Sequence, residues 1–412
     1  MSLLPHSDHQ PTTPESTSKQ FYFDEKVEED DEEENQQQEP TTEPTSSASF
    51  ELKKEKILIP SRGDSFPLIG YVFKNAGKSL HDDKVVYVII SAATGVHQDY
   101  HFHFAEYVVR YGHASNQTVI AVTYDYRGMG ESRDTDKPLV KCTFYDWAKD
   151  FWGVMDFCIK YHKENFSQPK VAMEISAVGN SIGAYLMMTV PSDLAPYFTR
   201  GFMLSAFNGY FGYFQPFKSK KDMMHYLRTK LFFASFPLLS AMYGYFPSGT
   251  VFKSMEDIPT GVAYTWRQFQ YNPQYMTEPD NPKKPILPTN MEHVTFLNWA
   301  FEDDVFTNKT SVAKYNEKFF GRCKEYFFEL IRRPIMKSVA TTPSNPQQPP
   351  KRLPIGHVGF FKKHVRDRSD LWKDACEFII FGKIIRTPST EILYSRPSKE
   401  APNPPQQRIS KL

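Results

Sequence analysis

Cysteine is scarce in this 412-residue chain, with only four: Cys142, Cys158, Cys323 and Cys376. None approaches a C-x-x-C spacing, which excludes a zinc ribbon and a thioredoxin-type redox motif. Isolated thiols in a chain this long read as reduced and mostly buried in an intracellular protein. Long apolar runs are missing too. The nearest, Leu231 to Phe246, is shorter than a bilayer span and is interrupted by Pro237, so no transmembrane segment is expected. Met1 to Gln20 lacks the basic and apolar stretches of a secretory signal. Net charge is nearly absent: 49 basic against 48 acidic side chains leave +1. That balance excludes a nucleic-acid binder held by bulk charge.

The charge is unevenly spread. Residues 1–50 hold 13 acids and two lysines, a net −11, so the remainder carries +12 against the total of +1. This leader, with its run Glu28 to Glu34, is too polar to bury the apolar area that would offset its ordering entropy. Residues 1–50 are therefore expected to be disordered, and so is a Pro- and polar-rich tail over 384–412. Thr341 to Pro350 reads as an exposed loop.

Between the tails, strand and helix patterns alternate. Lys56–Pro60 and Leu68–Phe73 read as a hairpin. Lys84–Ser91 is a nearly continuous β-branched run and Thr118–Tyr124 another, the mark of strands covered on both faces. Helical spacing over Phe102–Tyr111 ends at Gly112. In Phe144–His162 one face carries Trp147, Phe151, Val154 and Cys158. Further strands are expected at Val171–Val178, Phe202–Phe207, Val294–Trp299 and Tyr326–Ile331, with a closing helix at Leu371–Phe381. Such β-α-β repetition predicts an α/β fold, a mostly parallel central sheet with helices on both faces. The core spans 51–207 and 291–383. Residues 208–290 break the rhythm: from Phe207 to Tyr275 roughly one residue in four is aromatic, far above ordinary loop content. They are read as a helical cap inserted over the carboxyl edge of the sheet.

Gly179-Asn180-Ser181-Ile182-Gly183 follows a predicted strand and precedes a helical stretch, the context that gives G-x-S-x-G its meaning. A serine in so sharp a turn needs Gly179 and Gly183 on either side to avoid backbone clashes. Its hydroxyl is then expected to project into solvent-accessible space at a helix N-terminus, where free N–H groups favour a developing oxyanion. A nucleophilic serine needs a base. Of twelve histidines, His101 and His103 point to different helix faces, which argues against a metal pair. His162 and His225 read as solvated. His357 lies in Gly356-His357-Val358-Gly359, where a loop can hold an imidazole over a pocket. The orienting carboxylate is expected among Glu302, Asp303 and Asp304, at the end of a strand. The order Ser181, then Asp303 or Asp304, then His357 differs from the chymotrypsin and subtilisin orders.

With these blocks in place, the chain resembles the α/β-hydrolases, most nearly a branch of lipase-, esterase- and aminopeptidase-like serine hydrolases. The resemblance runs from about Ile57 to Phe381. It includes Ala92-Ala93-Thr94-Gly95-Val96, Asp125-Tyr126-Arg127-Gly128-Met129-Gly130-Glu131-Ser132 and the segment from Trp266 to Tyr275. It implies the α/β-hydrolase fold, Ser181 as nucleophile, His357 as base and Asp304 as acid, with Asp303 as the alternative. It implies an oxyanion hole from the N–H groups of Ile182 and Ala93. Family members often have His-Gly where this chain has Ala92-Ala93, and histidine where it has Asn180. Asp125 and Arg127 are expected to be structural.

The chain closes on Ser410-Lys411-Leu412, a receptor-read peroxisomal address whose partner is the import receptor. Phe232, Phe236, Met242 and Trp266 of the aromatic insertion are expected to line an acyl pocket. The expectation is a serine hydrolase of lipid-type carboxylic esters or thioesters that needs no cofactor or metal. Acyl transfer to an alcohol, aminopeptidase-like cleavage using cap carboxylates such as Glu256 or Asp257, and a non-catalytic binding protein are the alternatives.

Overall fold

A computed structural model describes residues 50–77, 83–134, 139–166, 171–214, 220–250, 255–273, 291–317, 323–334, 352–387 and 390–397. The leader as far as residue 49, the 341–350 stretch, His225 beyond its backbone and the terminal Ser410-Lys411-Leu412 lie outside the described residues.

The chain enters through an antiparallel hairpin, β1 (Leu52–Pro60) and β2 (Pro67–Asn75). Then follow β3 (Lys84–Ser91), α1 (Phe102–Ala114), β4 (Thr118–Tyr124) and α2 (Phe144–Asn165). Next come β5 (Ala172–Asn180), α3 (Ile182–Met187) and β6 (Phe198–Leu204). The insertion supplies α4 (Lys220–Tyr243), a small ladder of β7 (Tyr245–Phe246) with β8 (Ile258–Pro259), and α5 (Thr260–Tyr271). The chain returns through β9 (Met291–Phe301), α6 (Lys309–Glu317) and β10 (Cys323–Ile331), then α7 (Lys363–Arg368), α8 (Leu371–Phe381) and β11 (Ile392–Pro397).

The large sheet has the order β1-β2-β4-β3-β5-β6-β9-β10-β11. From β4 to β10 all neighbours run parallel, while β1, β2 and β11 add antiparallel edges. Every residue of β3 after Lys84 is buried, as a strand covered on both faces requires. One face is packed by α2, α3 and the cap, the other by α1, α7 and α8. The α2 stripe Trp147, Phe151, Val154 and Cys158 is fully buried. Its first turn is closed by a capping box between Thr143 and Asp146. The chain passes from β3 outward to β4 and then back across to β5 on the other side of β3. In open α/β sheets ligands bind at the carboxyl ends of the strands beside such a reversal.

Three expectations need correction. Helix α1 does not stop at Gly112; it continues to Ala114. The glycine serves close packing instead, since a Cβ there would lie 2.3 Å from Val119 Cγ2. The tail does not begin at 384, because Ile392–Pro397 pairs antiparallel with β10 and covers what would be its open edge. His162 is buried rather than solvated, its ring nitrogens 3.4 Å from the Tyr87 hydroxyl and 3.2 Å from the Val171 carbonyl. Among the described residues no helix is long and apolar enough to cross a membrane, and no His/Cys/Asp/Glu group could hold a metal ion.

Candidate active site

At the end of β5 the backbone reverses into α3 through Ser181, which has φ 52° and ψ −111°. A side-chain-bearing residue with positive φ is strained, and only surrounding structure can hold it there. Both flanking glycines are sterically obligatory. A Cβ on Gly179 would stand 2.4 Å from the Gly183 carbonyl carbon, and one on Gly183 would stand 2.4 Å from the Ser91 carbonyl oxygen. The Ser181 N–H donates to the Leu204 carbonyl at 2.9 Å, fixing the turn to β6. Taken as a whole residue, Ser181 is 4 % exposed.

The loop after β9 presents the two candidate carboxylates in different ways. Asp304, with a fully buried side chain, receives His357 Nδ1 at 2.9 Å on Oδ2 and the Phe306 N–H at 2.9 Å on Oδ1. Burial alone would raise its pKa, but the imidazole and that N–H hold it below the ordinary carboxylate value. Asp303 Oδ2 instead accepts the Ile355 N–H at 2.9 Å and so anchors the start of the His357 loop. Burial raises its pKa, against the opposing backbone donors of Ile355 and Gly356. With Asp304 ionised, the His357 proton sits on Nδ1, which leaves Nε2 as the acceptor. The rings of Phe207 and Phe306 stand edge-on to the imidazole at 6.0 and 5.1 Å.

Residues 180 and 357 are joined directly. Asn180 Nδ2 donates to the His357 carbonyl at 3.0 Å and to the Leu204 carbonyl at 3.2 Å. The histidine loop is thus tied to the residue before Ser181. Tyr100 holds the same loop from the other side, its hydroxyl donating to the Val358 carbonyl at 3.2 Å.

A serine with positive φ after β5, a carboxylate after β9 and its bonded histidine after β10 stand on strands ordered β1-β2-β4-β3-β5-β6-β9-β10. This is the α/β-hydrolase fold. The chain is similar in structure to a hypothetical protein from Pseudomonas aeruginosa, at 11% identity and TM-score 0.46, covering 84% of this chain and 99% of that one. It is also similar to an esterase from Pyrobaculum calidifontis, at 14% identity and TM-score 0.42, covering 84% and 88%. A third similar structure is a peroxisomal α/β-hydrolase from Saccharomyces cerevisiae, at 10% identity and TM-score 0.41, covering 69% and 82%. No protein-family model matches the chain, nor does any curated protein.

Ile182 is the first residue of α3, where helical N–H groups have no intrahelical partner. Ala93 lies on the loop after β3, pinned by the Tyr126 hydroxyl, which donates to the Ala92 carbonyl at 2.8 Å. Asp125 and Arg127 build the scaffold as expected. Asp125 accepts from the N–H groups of Gln98 and Glu131 at 2.9 Å, and Arg127 pairs with Asp150 and Asp64 at 2.7 and 2.6 Å. In the cap, Phe236 and Trp266 are buried, and Phe232 is partly buried in the same aromatic cluster with Phe233 and Phe246. Met242 is not with them. It is 67 % exposed, because α4 turns Leu238 and Met242 away from the side that buries Phe233 and Phe236.

Sequence reasoning missed the Asn180 tether, which shows only once β5 and the 357 loop are side by side. It also missed the contacts between the cap and the loop after β3. Trp266 Nε1 donates to Thr94 Oγ1 at 2.8 Å, and Glu256 lies 3.1 Å from His97 Nε2. No local pattern in the sequence announces such long-range pairs.

Proposed function

We propose that the protein is a serine hydrolase of carboxylic esters or thioesters with lipid-type acyl chains, working in peroxisomes. The observation that carries this reading is the Asp304–His357 pair, tethered through Asn180 to the strained Ser181 turn. Ser181 Oγ attacks the acyl carbonyl while His357 Nε2 takes its proton, and Asp304 stabilises the imidazolium that forms. The N–H groups of Ile182 and Ala93 receive the oxyanion; one such donor is typically worth about 3–4 kcal/mol of barrier. The imidazolium returns its proton to the leaving alcohol or thiol as the tetrahedral intermediate collapses to the acyl-enzyme. Water, deprotonated by the same imidazole, then releases the acid and restores Ser181.

The aromatic interior of the cap, with Phe232, Phe236 and Trp266, favours an apolar acyl group. Aminopeptidase-like cleavage is disfavoured because both cap carboxylates are already engaged. Glu256 holds His97 and the Gly130 N–H, and Asp257 accepts from Gly249 N, Thr250 N and the Thr250 hydroxyl.

The test is labelling with a fluorophosphonate probe. Wild-type protein is expected to label, and Ser181→Ala to lose all labelling while its far-UV circular dichroism stays unchanged. Labelling that persists in the variant would assign the nucleophile elsewhere. For the address, a fluorescent fusion at the N-terminus should be punctate with Ser410-Lys411-Leu412 intact and diffuse once Leu412 is deleted. A fusion that is diffuse from the start would remove the peroxisomal assignment.

A further inference from the structure

The loop Ala92–His97, which carries Ala93, is gripped by the cap through four contacts, on Thr94, Gly95 and His97. Trp266 Nε1 donates to Thr94 Oγ1 at 2.8 Å. Met255 packs on Gly95 so closely that a Cβ there would stand 2.7 Å from the Met255 side chain. The Glu256 N–H donates to the Gly95 carbonyl at 3.0 Å. The Glu256 carboxylate then reaches His97, its Oε2 3.1 Å from the imidazole Nε2.

The same Oε2 accepts the Gly130 N–H at 2.8 Å, in the turn after β4. Gly130 admits no side chain, since a Cβ would fall 2.2 Å from Asp125 Oδ2. Two carboxylates therefore meet that turn, Asp125 from the core and Glu256 from the cap. Asp125 also fixes the backbone just beyond His97, accepting the Gln98 N–H at 2.9 Å. Glu256 is only slightly exposed, its side chain at 14 %, and its own carbonyl accepts from the Ser248 hydroxyl. Glu256 is thus held at its backbone as well as at its carboxylate.

We infer that Glu256 is a positioning residue: by clasping His97 and Gly130 together it makes the seating of the cap determine where the Ala93 N–H points as the oxyanion forms. The inference rests on reading Ser181 as nucleophile and Ala93 as an oxyanion donor. A donor displaced by a fraction of an ångström loses transition-state stabilisation while the acyl pocket, made by other residues, still binds. The signature is thus a fall in kcat with KM held.

The experiment uses the full-length protein with p-nitrophenyl acetate and butyrate, after circular dichroism and fluorophosphonate labelling of Ser181 have qualified each variant. Glu256→Ala should lower kcat about tenfold with KM within about twofold of wild type. Glu256→Gln, whose amide oxygen can still accept from Gly130, should recover part of the loss. His97→Ala approaches the clasp from its other end and should show the same split, so the test survives a poorly folding Glu256→Ala. Wild-type kcat in Glu256→Gln and His97→Ala, even with a lowered Tm, would make the clasp an ordinary structural contact and overturn the inference. A loss confined to KM would do the same. Wild-type protein that fails to label at Ser181 would bring down the reading beneath it, whereas labelling with unchanged kcat in the variants sinks the inference alone.

Discussion

At the carboxyl edge of the sheet, Gly179 and Gly183 sit where a single added carbon would stand 2.4 Å from backbone atoms. Along the outer side of α4, Leu231, Leu238 and Met242 are 74, 65 and 67 % exposed among the described residues. The first region is over-determined by covalent geometry and tight packing. The second is a surface on which apolar side chains are merely tolerated. Residue identity therefore carries unequal information in the two places: it reports a required shape at the turn after β5 and little beyond helix formation on the outside of the cap.

The largest expected effect lies at the sheet edge and separates two neighbouring carboxylates. Asp304→Asn removes the charge that fixes the His357 tautomer and stabilises the imidazolium, so kcat should fall by a factor on the order of 10⁴. Asp303→Asn retains an oxygen to accept the Ile355 N–H, and kcat should stay within about threefold of wild type, because a neutral acceptor replaces a charged one at a backbone donor. Steady-state rates on one p-nitrophenyl ester suffice. Similar losses in the two variants would erase the distinction between the carboxylate bonded to His357 and the one bonded to its loop.

A second prediction compares the inside and outside of α4. Phe236 is 1 % exposed and stands against the rings of Phe232, Phe233 and Phe246 at 5.2, 5.0 and 4.0 Å. Phe236→Ala should cost about 3–5 kcal/mol in urea unfolding followed by tryptophan fluorescence. Met242→Ser should stay within about 0.5 kcal/mol of wild type. A large cost at Met242 would show that its face is covered in solution.

What was legible in the sequence follows the same division. The runs Lys84–Ser91 and Thr118–Tyr124 coincide with β3 and β4, because strands buried on both faces must be apolar throughout. The Trp147–Cys158 stripe was readable for a similar local reason, whereas the residues alone left Asp303 and Asp304 both open and only the family resemblance favoured Asp304. Gly112 was misread because a glycine that permits close helix–strand packing looks the same in sequence as one that ends a helix. Met242 was misread because α4 is apolar on both its buried and its exposed side, so composition could not say which residues turn inward. The pairs Asn180–His357 and Glu256–His97 join residues far apart in the chain, and no spacing rule reaches that distance.

The smallest effect concerns the clasp between cap and core. His97 faces Glu256 from the cap, Asp125 from the turn after β4 and Asp99 from its own turn. The hydrogen bond to Glu256 raises its pKa to about 9, against the opposing pull of burial. In the unfolded chain the imidazole titrates near its ordinary value of about 6.5. Below that value both states carry the proton, and the ion pair contributes fully to stability. Between about 6.5 and 9 the unfolded chain gives up its proton while the folded one keeps it, so the contribution decays as pH rises and is gone above about 9. The His97 side chain is 40 % exposed, so solvent screening keeps the effect small: about 1–2 °C in Tm between wild type and His97→Gln at pH 6.5. That gap should close by about pH 10 in parallel thermal melts. A gap that widened with pH would mean that His97 is held neutral, and the Glu256 carboxylate would then join cap to core through the Gly130 N–H rather than through an ion pair.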